Sequence, residues 1–107
     1  MIQGIDITYI LSNNFDELVK WYNEKLSLEF GYGDSHWQEF ALEQGPRFAI
    51  YKSNSNYSKP NNIIISFKGE GIEFITENGK LIHDAGSSLI ATIEDIDNYK
   101  IQFSQSK

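Results

Sequence analysis

The chain contains no cysteine. That excludes a zinc finger or ribbon, whose metal sits among clustered thiolates, and with it a disulfide scaffold, a thiol nucleophile and a CxxC redox centre. Histidine is scarce, with only His36 and His83 in the chain. Positive charge is in deficit: 9 Lys+Arg stand against 15 Asp+Glu, for a formal net charge of −6. A protein that grips nucleic-acid phosphates draws affinity from counterions released opposite Lys and Arg, and no basic run compensates here, so no nucleic-acid partner is expected. No apolar run reaches the ~18 residues that a membrane span requires, so no membrane partner is expected either. The opening residues Met1-Ile2-Gln3-Gly4-Ile5-Asp6 have neither a basic n-region nor a long apolar stretch. No signal peptide is expected, and the cytoplasm is the expected location.

What is present suffices for a fold. The 107 residues correspond to one domain, and 40% are hydrophobic, including fifteen Ile and fifteen aromatic residues. A chain of this length buries roughly 60–70% of its unfolded surface, enough for a core without staples. It is short for a deep, enclosed active site.

Residues 5–11 are rich in β-branched and aromatic side chains and predict a strand, with Ile5, Ile7, Tyr9 and Leu11 on one face and Asp6, Thr8 and Ile10 on the other. The second set is the more polar, though Ile10 blurs the contrast. Asn14 follows as a candidate N-cap, with Asp16 and Glu17 in the first helical turn, where the dipole favours anions. Phe15, Leu18, Val19, Trp21, Tyr22 and Leu26 recur at spacings dominated by three and four, predicting an amphipathic helix. Strands are predicted at 28–32, 37–42 and 47–52, separated by Gly33-Asp34 and Gln44-Gly45-Pro46. In the last of them Phe48 and Ile50 share one face, and Arg47, Ala49 and Tyr51 the other. Residues 53–62 form a polar linker.

The second half repeats the order of the first. A strand at 63–67 is followed by residues 72–79, read as a helix of about two turns with Gly79 at C′, or else as a hairpin turning at Asn78-Gly79. The repeat favours the helix. Strands at 80–83, 88–93 and 99–103 complete the set, with Asp95-Ile96-Asp97-Asn98 as a tight turn in which Asn98 tolerates positive φ. The expected architecture is α+β: one domain over 1–107, made of a βαβββ module (1–52), a linker (53–62) and a second βαβββ module with a shortened helix (63–107).

These residues carry a family resemblance. Trp21-Tyr22 and the run Leu26-Ser27-Leu28-Glu29-Phe30 are similar to the aromatic pair and the turn that end the first helix in the vicinal oxygen chelate superfamily. That superfamily includes glyoxalase I, extradiol dioxygenases, fosfomycin-resistance transferases and bleomycin-resistance proteins. Residues 33–50, around Trp37 and Gly45-Pro46-Arg47, and the closing turn at 95–103 resemble the family too. The likeness covers nearly the whole chain, although the second helix is very short and the closing turn lacks its usual Pro and Gly.

The resemblance implies two half-barrels whose concave faces bind a small molecule and, in the metal enzymes, a divalent ion held at four inward positions. Carried over, those positions fall at Asp6 or Ile7, with strand parity favouring Asp6, at Ala49, at Ile64 or Asn62, and at Gln102. At most two of the four are able to ligate and none is His, so no metal and no cofactor are expected. The bleomycin-resistance members hold a cationic drug in an acidic, aromatic-lined cleft shared by two subunits. Residues here that suit such a cleft are Asp6, Thr8, Trp37, Glu39, Arg47, Tyr51, Tyr99 and Gln102. Trp21, Tyr22, Phe40, Phe48 and Phe67 are expected in the core, whereas Trp37 and Tyr51 serve equally as cleft wall or core. The leading expectation is a metal-free binder of a small cationic or aromatic molecule, acting as a homodimer. The alternatives are a divalent-metal lyase, isomerase or dioxygenase of the glyoxalase kind using Asp6 and Gln102, and a degenerate dimerisation module. No Ser/His/Asp order and no Gly-rich phosphate loop is present.

Overall fold

A computed structural model of the protein describes residues 1–54, 64–76 and 82–107. The chain divides into two compact units, Met1–Tyr57 and Ser58–Lys107. Most of the linker, together with Asn62, Asn78 and Gly79, lies outside the described residues.

In the first unit β1 (Ile7–Ser12) leads into α1 (Phe15–Lys25), and β2 (Glu29–Gly33), β3 (Trp37–Ala41) and β4 (Arg47–Lys52) follow. The sheet order is β1-β4-β3-β2, with β1 and β4 parallel and the other pairs antiparallel. The helix starts at Asn14 as expected, but the Asn14 side chain makes no capping bond. The Ser12 Oγ does the local work instead, accepting the Asn14 N–H at 2.9 Å. At the other end Ser27 takes φ 55°, and the Asn23 Nδ2 donates to the Leu28 carbonyl at 2.8 Å, which turns the chain into β2.

Phe15, Leu18 and Tyr22 are the buried stripe of α1. Tyr22 meets Phe48 and Phe40 at ring-centroid distances of 5.3 and 6.1 Å, and those two rings stack at 5.8 Å. The helix-covered face of the sheet therefore carries Phe40, Phe48 and Ile50, all buried. Trp21, expected in the core, is only half-buried, because it falls beside the stripe rather than on it.

The register corrects the predicted faces of β1. Thr8 pairs with Phe48 and Ile10 with Ile50, so both lie on the helix-covered face. Ile7, Tyr9 and Leu11 pair with Arg47, Ala49 and Tyr51 on the opposite face. Tyr9 is 49% exposed and Ile10 only 8%. Thr8 and Ile10, from the more polar alternate set, are thus packed on the helix, because parallel pairing with Phe48 and Ile50 fixes the face and composition does not.

The second unit repeats the topology. β5 (Ile65–Lys68), α2 (Ile72–Ile75), β6 (Ile82–Asp84), β7 (Ser88–Glu94) and β8 (Lys100–Ser106) form a sheet of order β5-β8-β7-β6, with β5 and β8 parallel. The segment after β5 is helical, and it is a single turn rather than two. Gly71 enters it at φ 88°, a left-handed conformation that glycine adopts without a Cβ penalty. The Ile72 N–H donates to the Gln105 Oε1 at 3.0 Å. Among the described residues of this unit, Ile72, Ile75, Ala91 and Ile101 are the buried apolar side chains. Phe67, expected in the core, is half-buried. Asn98 adopts φ 67° as expected, and the buried Asp95 accepts the N–H of Asp97 (2.8 Å) and of Tyr99 (3.0 Å) through Oδ1. Among the described residues no helix is long and apolar enough to cross a membrane.

Candidate functional site

The sheet face opposite α1 gathers the chemistry of the first unit. Trp37 pairs with Tyr51, and Glu39 with Ala49, across β3 and β4. With Tyr9 beside Ala49 on the other flank, three aromatic rings meet: Tyr9 and Trp37 at 5.2 Å, Trp37 and Tyr51 at 6.1 Å, Tyr9 and Tyr51 at 6.3 Å. All three contacts are edge-to-face, the arrangement that the ring quadrupoles favour. Tyr9 and Tyr51 are 49% and 44% exposed, so their rings remain accessible.

A chain of polar contacts runs from the trio. The Trp37 indole N–H donates to the Glu39 Oε2 at 2.9 Å. The Arg47 Nη1 donates to both oxygens of Glu39 at 3.2 and 3.3 Å, and its Nη2 donates to the Asp6 Oδ2 at 3.0 Å. The Glu39 side chain is 16% exposed, that of Arg47 52%, and that of Asp6 83%. The hydrogen bond and charge of Asp6, reinforced by the charge of Glu39, hold the Arg47 guanidinium above its ordinary pKa. Trp37 is placed by the hairpin between β2 and β3, where the Asp34 Oδ1 accepts the N–H of His36 and of Trp37, each at 2.8 Å.

Of the residues expected in a cleft, Trp37, Glu39, Arg47 and Tyr51 share this face, and Asp6 joins it from just before β1. Thr8 does not, being on the helix side. Tyr9 joins this face instead, at the strand parity opposite to Thr8. Placing it laterally beside Ala49, whose inward position was recognised, is the signal that identifies it. Tyr99 and Gln102 belong to the second unit. Gln102 pairs with Ser66 and Thr92 on the sheet face away from Ile101 and Ala91. Tyr99 closes the turn through its backbone, donating to Asp95 and accepting the Asp95 N–H at 3.0 Å.

These residues do not fit a resident divalent ion. Such an ion needs carboxylate or imidazole donors converging on one point. The open face of β1 and β4 offers Ile7, Tyr9 and Ala49 at its centre, and that of β5 and β8 offers Ser66 and Gln102. Asp6 and Glu39 are both engaged by Arg47. Among the described residues no group of three or more His, Cys, Asp or Glu gathers at one place. His36 lies exposed in the hairpin before β3, and His83 lies exposed on β6.

No protein-family model and no curated protein matches the sequence. Solved structures do match along the whole chain. A putative glyoxalase family protein from Bacillus anthracis superposes with a TM-score of 0.76 at 19% identity, covering 100% of this chain and 98% of that one. A glyoxylase/bleomycin resistance protein/dioxygenase domain from Frankia sp. EAN1pec gives 0.71 at 16% identity, with 100% of each chain covered. A lactoylglutathione lyase from Agrobacterium tumefaciens gives 0.70 at 13%, covering 97% of this chain and 94% of that one. The fold is therefore that of the glyoxalase/bleomycin-resistance/dioxygenase proteins, the vicinal oxygen chelate fold of two βαβββ modules, here with a shortened second helix.

Proposed function

We propose that the protein binds a small molecule bearing a flat aromatic or cationic group, without a metal ion, on the open face of the first unit. The observation that carries this reading is the trio Tyr9, Trp37 and Tyr51, with two of its rings close to half exposed. Aromatic rings on a folded surface offer large area at little entropic cost, and Glu39 and Arg47 beside them supply orientation. Glu39 fixes the indole edge, so the Trp37 ring is set before a ligand arrives. A thermal-shift screen of flat aromatic compounds in the presence of a chelator tests the reading. Stabilisation by at least one compound, lost in Trp37→Ala, supports it. No stabilisation by any compound, or stabilisation only after a divalent ion is restored, counts against it.

The protein acts as a homodimer on the same reading. Phe30 and Tyr32 are 53% and 67% exposed on β2, the outer strand of its sheet. An exposed aromatic pair on a sheet edge is the kind of surface that a second copy covers. Light scattering at micromolar concentration tests this, and a monomer contradicts it.

A further inference from the structure

We infer that the open face of the first unit takes an aromatic carboxylate, with Arg47 as its anion clamp and Asp6 as the group the incoming carboxylate displaces. This rests on the binding role proposed above and narrows it to one ligand class. The two ends of the Arg47 fork are held unequally. Nη1 bonds both oxygens of Glu39, a carboxylate that also takes the Trp37 indole N–H and is only 16% exposed. Nη2 bonds a single oxygen of Asp6, whose side chain is 83% exposed. An exposed monodentate pair of this kind contributes little, so exchanging its anion costs little. A ligand carboxylate has the geometry to take Nη2 and Nε side by side, a stronger bidentate arrangement.

The surroundings favour an anion over a cation. Glu39 has its oxygens occupied by Arg47 and Trp37, so a cationic ligand would have to break an internal pair to reach it. The three rings pack against one another edge-to-face, which offers outer faces for stacking and leaves no cage around an ammonium group. Tyr9 stands beside Ala49, two residues along β4 from Arg47, or about 6.6 Å on strand geometry. A compact aryl carboxylate spans that distance, with its ring against Tyr9 and Trp37 and its anion at Arg47.

Three probes with one ring system separate the possibilities: naphthalene-2-carboxylate, 2-naphthylmethanol and 2-naphthylmethylammonium. Each is titrated into the full chain by calorimetry and by NMR of the Trp37 indole N–H, assigned with Trp21→Phe. The carboxylate is expected to bind about ten- to a hundredfold more tightly than the alcohol, the range for a hydrogen-bonded charged pair. Arg47→Gln should abolish that preference, read as the ratio of carboxylate to alcohol affinity within the variant, while Arg47→Lys, which keeps the charge but not the fork, should restore only part of it. Asp6→Asn should tighten carboxylate binding by up to about fivefold, since it removes a competitor worth no more than an exposed pair. Equal or tighter binding of the alcohol or the ammonium at Trp37 overturns the carboxylate class and leaves the binding role standing. Carboxylate binding that Asp6→Asn weakens overturns the displacement. No shift at Trp37 with any probe overturns the binding role itself.

Discussion

The two units share one strand order and differ in how they are covered and in what they display. The first carries an 11-residue helix whose Phe15, Leu18 and Tyr22 pack on a sheet lined by Phe40, Phe48 and Ile50. The second carries a four-residue helix that contributes Ile72 and Ile75. On their open faces the first displays Tyr9, Trp37, Tyr51, Glu39 and Arg47, whereas the second displays Ser66, Thr92 and Gln102 with Lys68, Glu94 and Lys100 at the same parity. The second face thus carries charged groups as well, but no Phe, Tyr or Trp at its described strand positions. One strand order thus supports two different open faces, and the residues alternating along the strands decide what each displays.

The largest test of that difference is in the core. Phe48→Ala should destabilise the protein by about 3–5 kcal/mol, the range for a fully buried aromatic residue. Ile72→Ala should cost about 2–3 kcal/mol, because a one-turn helix surrounds the vacated volume less completely. Urea denaturation measures both, and equal losses would remove the contrast between the units. Next in size is the closing turn of the second unit. Asp95→Ala leaves the amides of Asp97 and Tyr99 without their acceptor and should cost about 1–3 kcal/mol, whereas Asp95→Asn should keep most of the stability.

A paired comparison of the left-handed residues is finer. Ser27 ends α1 at φ 55° and Asn98 turns the chain before β8 at φ 67°. Serine is strained there and asparagine much less so, so Ser27→Gly should raise stability by about 0.5–1 kcal/mol while Asn98→Gly changes it little. The smallest effect is electrostatic. The hydrogen bond from Lys107 (2.6 Å), aided by the Gly86 N–H, holds the Asp84 carboxyl below its ordinary value. A depressed carboxyl pKa adds stability above the unfolded value of about 3.9, lost as pH falls through the lower folded value. Lys107→Gln should thus lower stability slightly at neutral pH, where the pair contributes, and leave it unchanged at the most acid pH, so that the slope between flattens a little; the effect is small because the pair is exposed to solvent.

Much of this was legible in the sequence. The repeat, the helix at α1, the three strands after it, the turn at Asn98 and the helical character of the segment after β5 all follow from local pattern. The face of β1 was not legible, because Ile7, Ile10 and Leu11 are apolar at both parities and only pairing with β4 distinguishes them. That one ambiguity put Thr8 in the cleft and left Tyr9 out. The bond from Ser12 to the Asn14 amide and the Asp6–Arg47 pair join groups whose meeting depends on tertiary geometry, which spacing does not encode. Trp37, Glu39, Arg47 and Tyr51 were legible because adjacent antiparallel strands preserve their alternation.

The most direct measurement is the Trp37 indole N–H resonance of protein freed of divalent ions, followed as naphthalene-2-carboxylate is added. The expected result is a saturable shift at Trp37 with the Trp21 indole unmoved, and loss of that shift in Tyr9→Ala. A Trp37 resonance that stays fixed, or that moves only once a divalent metal is present, would contradict metal-free binding at the open face of the first unit.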